Sequence, residues 1–176
     1  MDTPCEWAPS ESQEYRRVYD AVIKGDRRAL QAAWTRDNRP NVLYGGDSEG
    51  RSLLHYAAAR GYHAIVNFLL VRGANVNVQS RNQFGSCTPL FDAANGAHYE
   101  AVQRLLDAGA DIRATGPDDE TVLSTVLRSV PVAETRHWRV ITLLLDHGID
   151  INARATQFGS TVVSSPTVSH EGPGVY

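Results

Sequence analysis

Cysteine is scarce in this chain: Cys5 and Cys87 are the only two in 176 residues. Two thiols so far apart form neither a disulfide framework nor a zinc cluster, so a reducing compartment, cytoplasmic or nuclear, is the expectation. Lysine is scarcer still. Of 17 basic residues only Lys24 is a lysine, no lysine-arginine cluster occurs, and the formal net charge is −3. That leaves no phosphate footprint and argues against nucleic acid. No stretch approaches the roughly 18 apolar residues of a membrane span, and Met1-Asp-Thr-Pro-Cys-Glu has neither a basic n-region nor an apolar h-region. No membrane partner is expected. The chain also lacks His-Glu-x-x-His, Cys-x-x-Cys and phosphate-loop patterns, and its six histidines show no ligand spacing. No metal or cofactor is expected.

What the chain does have is 42% hydrophobic and 21% charged residues, enough to bury a continuous core, and an internal repeat. Ser52-Leu-Leu-His-Tyr-Ala-Ala-Ala-Arg-Gly61 returns in altered form as Thr88-Pro-Leu-Phe-Asp-Ala-Ala-Asn-Gly-Ala97. Each copy runs into an apolar stretch and a glycine phrase, Ile65 to Asn77 in one and Ala101 to Arg113 in the other. Thr121-Val-Leu-Ser124 opens a third copy and Val140 to Asn152 closes it. Gly25, Gly61 and Ala97 follow one another at 36-residue intervals, which places a capping unit upstream. Downstream, Gln157-Phe-Gly-Ser echoes Gln83-Phe-Gly-Ser86, but Pro166 stands where a helix should continue.

This pattern resembles the ankyrin repeat family, whose unit of roughly 33 residues carries a Thr-Pro-Leu-His-x-Ala signature and stacks into a solenoid. The resemblance implies an all-α fold of helix-turn-helix units with β-hairpin loops. It divides the chain into a flexible N-terminal arm at 1–13, a capping repeat at 14–46, and repeats at 47–82, 83–115 and 116–155. An abortive repeat and tail follow at 156–176. In the central unit Thr88 should cap the first helix with Pro89 in its first turn. Val102, Leu105 and Leu106 should form the second helix's apolar stripe, with Phe68-Leu69-Leu70 and Leu143-Leu144-Leu145 as counterparts. Gly109 should end that helix in the left-handed region.

In such families partners are bound through the hairpin tips and the exposed face of the first helices, which line a concave groove. By register that surface comprises Ser48, Glu49, Arg51, Tyr56 and Arg60, then Phe84, Cys87, Asp92 and Asn95, then Asp118, Glu120 and Arg128. The function implied is non-enzymatic binding of a peptide or folded protein by a monomer. Asp92 departs furthest from the pattern, because its aligned position is usually apolar. It is expected either to pair with Arg60 or Arg128 across the stack or to anchor a ligand backbone. Phe84 is either an exposed anchor or a packed tip residue. Six residues, Val130 to Thr135, are inserted between the helices of the third unit, ahead of His137 and Trp138. That loop is either a contact site or a neutral insertion with Trp138 packed on its helix.

Two chemical readings compete with binding. Gly46-Asp-Ser-Glu-Gly50 matches the Gly-x-Ser-x-Gly nucleophile elbow, but a hairpin tip supplies neither the strand before it nor an oriented histidine base. A small-molecule enzyme or cyclase around Tyr56, Asp92 and His98 would require a closed apolar pocket with convergent polar groups. His55, at the signature histidine position, is expected to tie neighbouring loops together by hydrogen bonds. Finally, Leu144 to Asn152 resembles the sequence preferred by the asparaginyl hydroxylase that acts on ankyrin-type hairpins, making Asn152 a candidate for hydroxylation. The alternative role for its side chain is to hold the hairpin turn.

Overall fold

The computed structural model describes residues 13–34, 46–82, 85–116, 120–128 and 135–151. The expected N-terminal arm up to residue 12, Phe84, Asp118, the inserted loop ahead of Thr135, Asn152 and the tail lie outside them, and Gln13, expected as the arm's last residue, instead opens the first helix. Among the described residues there are eight helices and one hairpin. Helices α1 (Gln13–Ile23) and α2 (Arg27–Ala33) form the first pair, and α3 (Leu53–Ala59) and α4 (His63–Val71) the second. Strands β1 (Ser80–Asn82) and β2 (Gly85–Cys87) then pair antiparallel, with Ser80 opposite Cys87. Helices α5 (Pro89–Asn95) and α6 (Tyr99–Asp107), then α7 (Val122–Arg128) and α8 (Thr135–Asp146), complete the order.

First helices stack on first helices, α1 on α3, α3 on α5 and α5 on α7, while α4, α6 and α8 form a second row. Small side chains permit this approach: Ala57, Ala58, Ala93 and Ala94 are wholly buried. Each first helix is too short to persist alone, so its start and its packing must fix it. Thr88 Oγ1 accepts the Phe91 N–H, with Pro89 in the first turn where no amide donor is needed. Ser52 and His55 make a reciprocal capping box on α3. Past the helix ends, Gly25 and Gly61 take positive φ of 70° and 69°, and Ala97, at the same register place, is driven to 52°. The third register residue shows that the turn geometry is imposed by the stack, since a side chain there is disfavoured.

The second helices bury one narrow stripe. In α6 this is Ala101, Val102 and Leu105, with Leu105 wholly inaccessible, and Gly109 follows at a φ of 85°. The structure corrects the expected stripe at its last member. Leu106 and Leu70 are only half-buried, and Leu145 is 42% exposed. Adjacent helical residues lie about 100° apart. Leu105, four residues after Ala101 and three after Val102, falls at the centre of the stripe, and Leu106 falls on its edge.

Side chains also bolt unit to unit. His55 Nε2 donates to the Cys87 carbonyl at 3.0 Å while Nδ1 accepts the Ser52 N–H at 3.1 Å. His98 Nε2 donates to the Ala59 carbonyl at 3.0 Å, its ring lying where a Cβ on Gly61 would collide with it. In the loops, Asn77 accepts the Asp111 N–H at 2.8 Å and donates to the Gly109 carbonyl at 3.3 Å. Tyr62 fills the space above Gly25 in the same manner as His98 above Gly61.

Truncation distinguishes the two leucines of α6. Leu105→Ala should cost about 2–5 kcal/mol through lost transfer energy and a residual cavity, and Leu106→Ala clearly less. Urea denaturation of both variants checks this; equal losses would contradict the assigned stripe.

Candidate functional site

The first-helix row carries most of the residues singled out by the sequence. Two of them share one register place with Thr125, four residues after the helix cap: Tyr56 after Ser52, Asp92 after Thr88, and Thr125 after Thr121. Ser48, Glu49, Arg60, Asn95 and Arg128 are exposed, whereas Arg51, Tyr56, Asp92, His98 and Glu120 are half-buried. Cys87 does not belong to an open surface. It is 7% exposed at the end of β2, and burial pushes its thiol up to about 11, which leaves it protonated and unreactive near neutral pH.

Asp47 organises the N-terminal end of the row. Its Oδ1 accepts the N–H groups of Glu49 at 2.9 Å and Arg51 at 2.8 Å, and its Oδ2 accepts the Tyr56 hydroxyl. Burial, followed by the bond to Asp47, holds the Tyr56 phenol protonated far above its ordinary range. Tyr56 meets Tyr19 edge to face at 5.4 Å, and Tyr19 stacks on Tyr15 at 6.2 Å. Tyr15, Arg16, Tyr19, Gly46 and Asp47 line a cleft of about 250 Å³. Tyr15 and Tyr19 lie within the capping repeat expected at 14–46, and neither they nor Asp47 are among the site residues expected from the sequence. The available signal was the spacing Asp47-Ser-Glu-Gly50, an aspartate placed to fold its own turn. Ser48 stands exposed on that turn, with Gly46 bridged to Ser52 and α3 starting only at Leu53. This is not the geometry of a nucleophile elbow.

The expected bridge from Asp92 to Arg60 or Arg128 does not form. Arg128 instead pairs with Glu120, the residue just before the α7 turn, and Glu120 Oε2 also accepts the Thr125 hydroxyl at 3.1 Å. Glu120 precedes Arg128 by two helical turns' worth of chain and can reach it without crossing the stack. Asp92 Oδ2 is hidden and has no hydrogen-bond donor among the described residues. Burial raises this carboxyl to about 6, with the positive field of Arg51 opposing the shift. His98, the third member of the competing small-molecule reading, is engaged with the Ala59 carbonyl. Beyond the insertion His137 is buried, while Trp138 is 58% exposed. Among the described residues no group of three or more His, Cys, Asp or Glu is placed to hold a metal, and no helix is long and apolar enough to cross a membrane.

Comparison with known proteins agrees with this architecture. A family model for ankyrin repeats in three copies matches residues 19–116 and 54–155. Over 100 residues, 56% of this chain, the sequence is 44% identical to a probable E3 ubiquitin-protein ligase, XBOS32, of Oryza sativa subsp. japonica, covering 19% of that protein. Over 110 residues, 62% of this chain, it is 34% identical to human Ankyrin repeat and SOCS box protein 6, covering 25% of it. Over 109 residues, 61% of this chain, it is 36% identical to human Ankyrin repeat and KH domain-containing protein 1, covering 4%. The chain thus spans a quarter or less of these relatives.

Two buried groups of the row titrate in opposite senses. Burial lowers His55 to about 4, partly offset by its bond to the Cys87 carbonyl, so its stabilisation is complete above about 6.5 and is lost as pH falls towards 4. Asp92 is raised, so its contribution is complete below the unfolded value of 3.8 and is lost as pH rises through about 6. The two offset each other across one window. Asp92→Asn removes the compensation: between pH 7 and 4 the variant should lose on the order of 2–3 kcal/mol more stability than the parent. Denaturation at the two pH values measures this, and parallel losses would contradict it.

Proposed function

Because the chain belongs to the ankyrin repeat family, whose repeats are protein-interaction modules, we propose that the first-helix row and its hairpin tips form a concave groove that binds a peptide or a folded protein. The observation that carries this reading is the concentration of half-buried and exposed polar and aromatic groups on one row: Tyr19, Arg51, Tyr56, Asp92 and Glu120. The second row instead ends in solvent-facing Gln103 and Arg104, exposed on α6. A stacked scaffold holds its groove in place before a partner arrives, so little conformational entropy is lost on binding. Polar groups already set at fixed spacing then select partner orientation more than they add bulk affinity.

The binding surface comprises Ser48, Glu49, Arg51, Tyr56, Arg60, Asp92 and Asn95, continued by Glu120 and Arg128. Phe84 and Asp118 extend it by register. The ligase and SOCS box in the relatives' names describe proteins several times longer than the matched stretch. What this chain shares with them is the repeat stretch, and binding is the activity proposed for this chain, as a monomer.

Substitution on the two rows tests the assignment. Phe84→Ala combined with Arg51→Glu should weaken capture of partners from native lysate by about tenfold or more, with the circular dichroism spectrum and melting temperature nearly unchanged. Gln103→Glu with Arg104→Glu should leave capture intact. The reverse outcome, loss with the α6 pair alone, would place the binding face elsewhere.

A further inference from the structure

The first-helix row repeats one arrangement twice and breaks it once. In the first full unit the hydroxyl of Tyr56 donates to Asp47, and in the third the hydroxyl of Thr125 donates to Glu120. In both, a carboxylate on the turn before the helix finds its donor four residues past the helix cap. In the central unit that inner place is occupied by the carboxylate itself, Asp92. Its backbone is satisfied, the N–H bonding Thr88 and the carbonyl accepting from Gly96. Its side chain is not: Oδ2 has no donor, and the flanking hydroxyls of Tyr56 and Thr125 are directed at other carboxylates.

Two cations of the row face other carboxylates. Arg128 pairs with Glu120, and Arg51 lies 4.0 Å from Glu49. Among the described residues, Asp47 and Asp92 meet no cation at ion-pair distance. Asp47 is compensated by two amide donors and a phenol, whereas Asp92 Oδ2 has no donor and feels only the field of Arg51. A carboxylate oxygen hidden without a donor is costly, and the cost is recovered when a cation with fixed donors reaches the group. Tyr56 occupies the same register place on the neighbouring helix, so an aromatic residue flanks the position along the row.

We propose that Asp92 is the receptor for an arginine side chain carried by a protein partner, which enters the first-helix row between Tyr56 and Thr125. Arginine suits the place because its planar fork matches a carboxylate and stacks on a ring, which a lysine ammonium does neither of. The assignment rests on the reading of this row as the partner face, and charge complementarity commits it to a basic segment.

Selection of a random peptide library against the folded chain tests it. The peptides recovered should share an arginine at a fixed place. Synthetic copies should bind Asp92→Asn about tenfold or more weakly, as expected for loss of a desolvated charge pair, while that isosteric variant melts no lower than the parent at neutral pH. Replacing the shared arginine with glutamine should give the same loss, and the two changes together should add little further, the mark of direct coupling. Peptides lacking a basic residue, additive losses, or an unenriched library would overturn the assignment. Peptides weakened by Arg51→Glu but indifferent to Asp92→Asn would retain the face and remove Asp92 from it. Peptides indifferent to both would overturn the face as well.

Discussion

His55 joins two requirements that a repeat scaffold must meet at once. Its Nδ1 closes the start of α3 by accepting the Ser52 N–H, and its Nε2–H reaches into the next unit to the Cys87 carbonyl. Only the neutral imidazole does both, since protonation of Nδ1 would set a donor against a donor. Burial enforces that state. Local helix initiation and stacking on the neighbour are therefore one event at this residue. Because no unit buries both of its faces alone, the position of the β1–β2 hairpin and of the α5 cap at Thr88 beside it follows from this connection.

The fold was legible in the sequence because its units repeat, and repetition converts weak local signals into register. Thr88-Pro89, the paired alanines and the glycines after the helices each identify a place in the unit. Their recurrence fixed the order of helices where any single occurrence would have been ambiguous. Register carries less information about rotation. Two adjacent leucines, Leu105 and Leu106, read alike in a string of letters, and only the position of Ala101 and Val102 on the cylinder separates centre from edge.

The candidate site was legible as a place but not as a set of contacts. Sequence comparison between units isolated Asp92 as foreign to its position, yet it gave the wrong expectation for its neighbours. Arg128 had a nearer carboxylate in Glu120, and ion pairs form with the closest unshielded charge. Asp47 was overlooked for the opposite reason: in sequence it belongs to a turn, and only folding brings Tyr56 back over it. Side-chain reach across a turn is a property of three-dimensional proximity, which alignment of units does not encode.

The seams between units are not chemically alike. The His55 position is taken by Phe91 in the central unit and Ser124 in the third, and the Phe91 ring lies over Gly116, where any Cβ would collide with it. One seam is thus pinned by directional hydrogen bonds, and the other carries an aromatic ring on bare backbone, with Arg139 reaching Glu100 at 3.8 Å and lying 4.2 Å over the Tyr99 ring in the second row. Hydrogen bonds set an angle, whereas apolar burial is non-directional and weakens on cooling. At the first-helix row the His55 seam therefore has its angle set by hydrogen bonds, whereas the Phe91 seam relies there on apolar contact area.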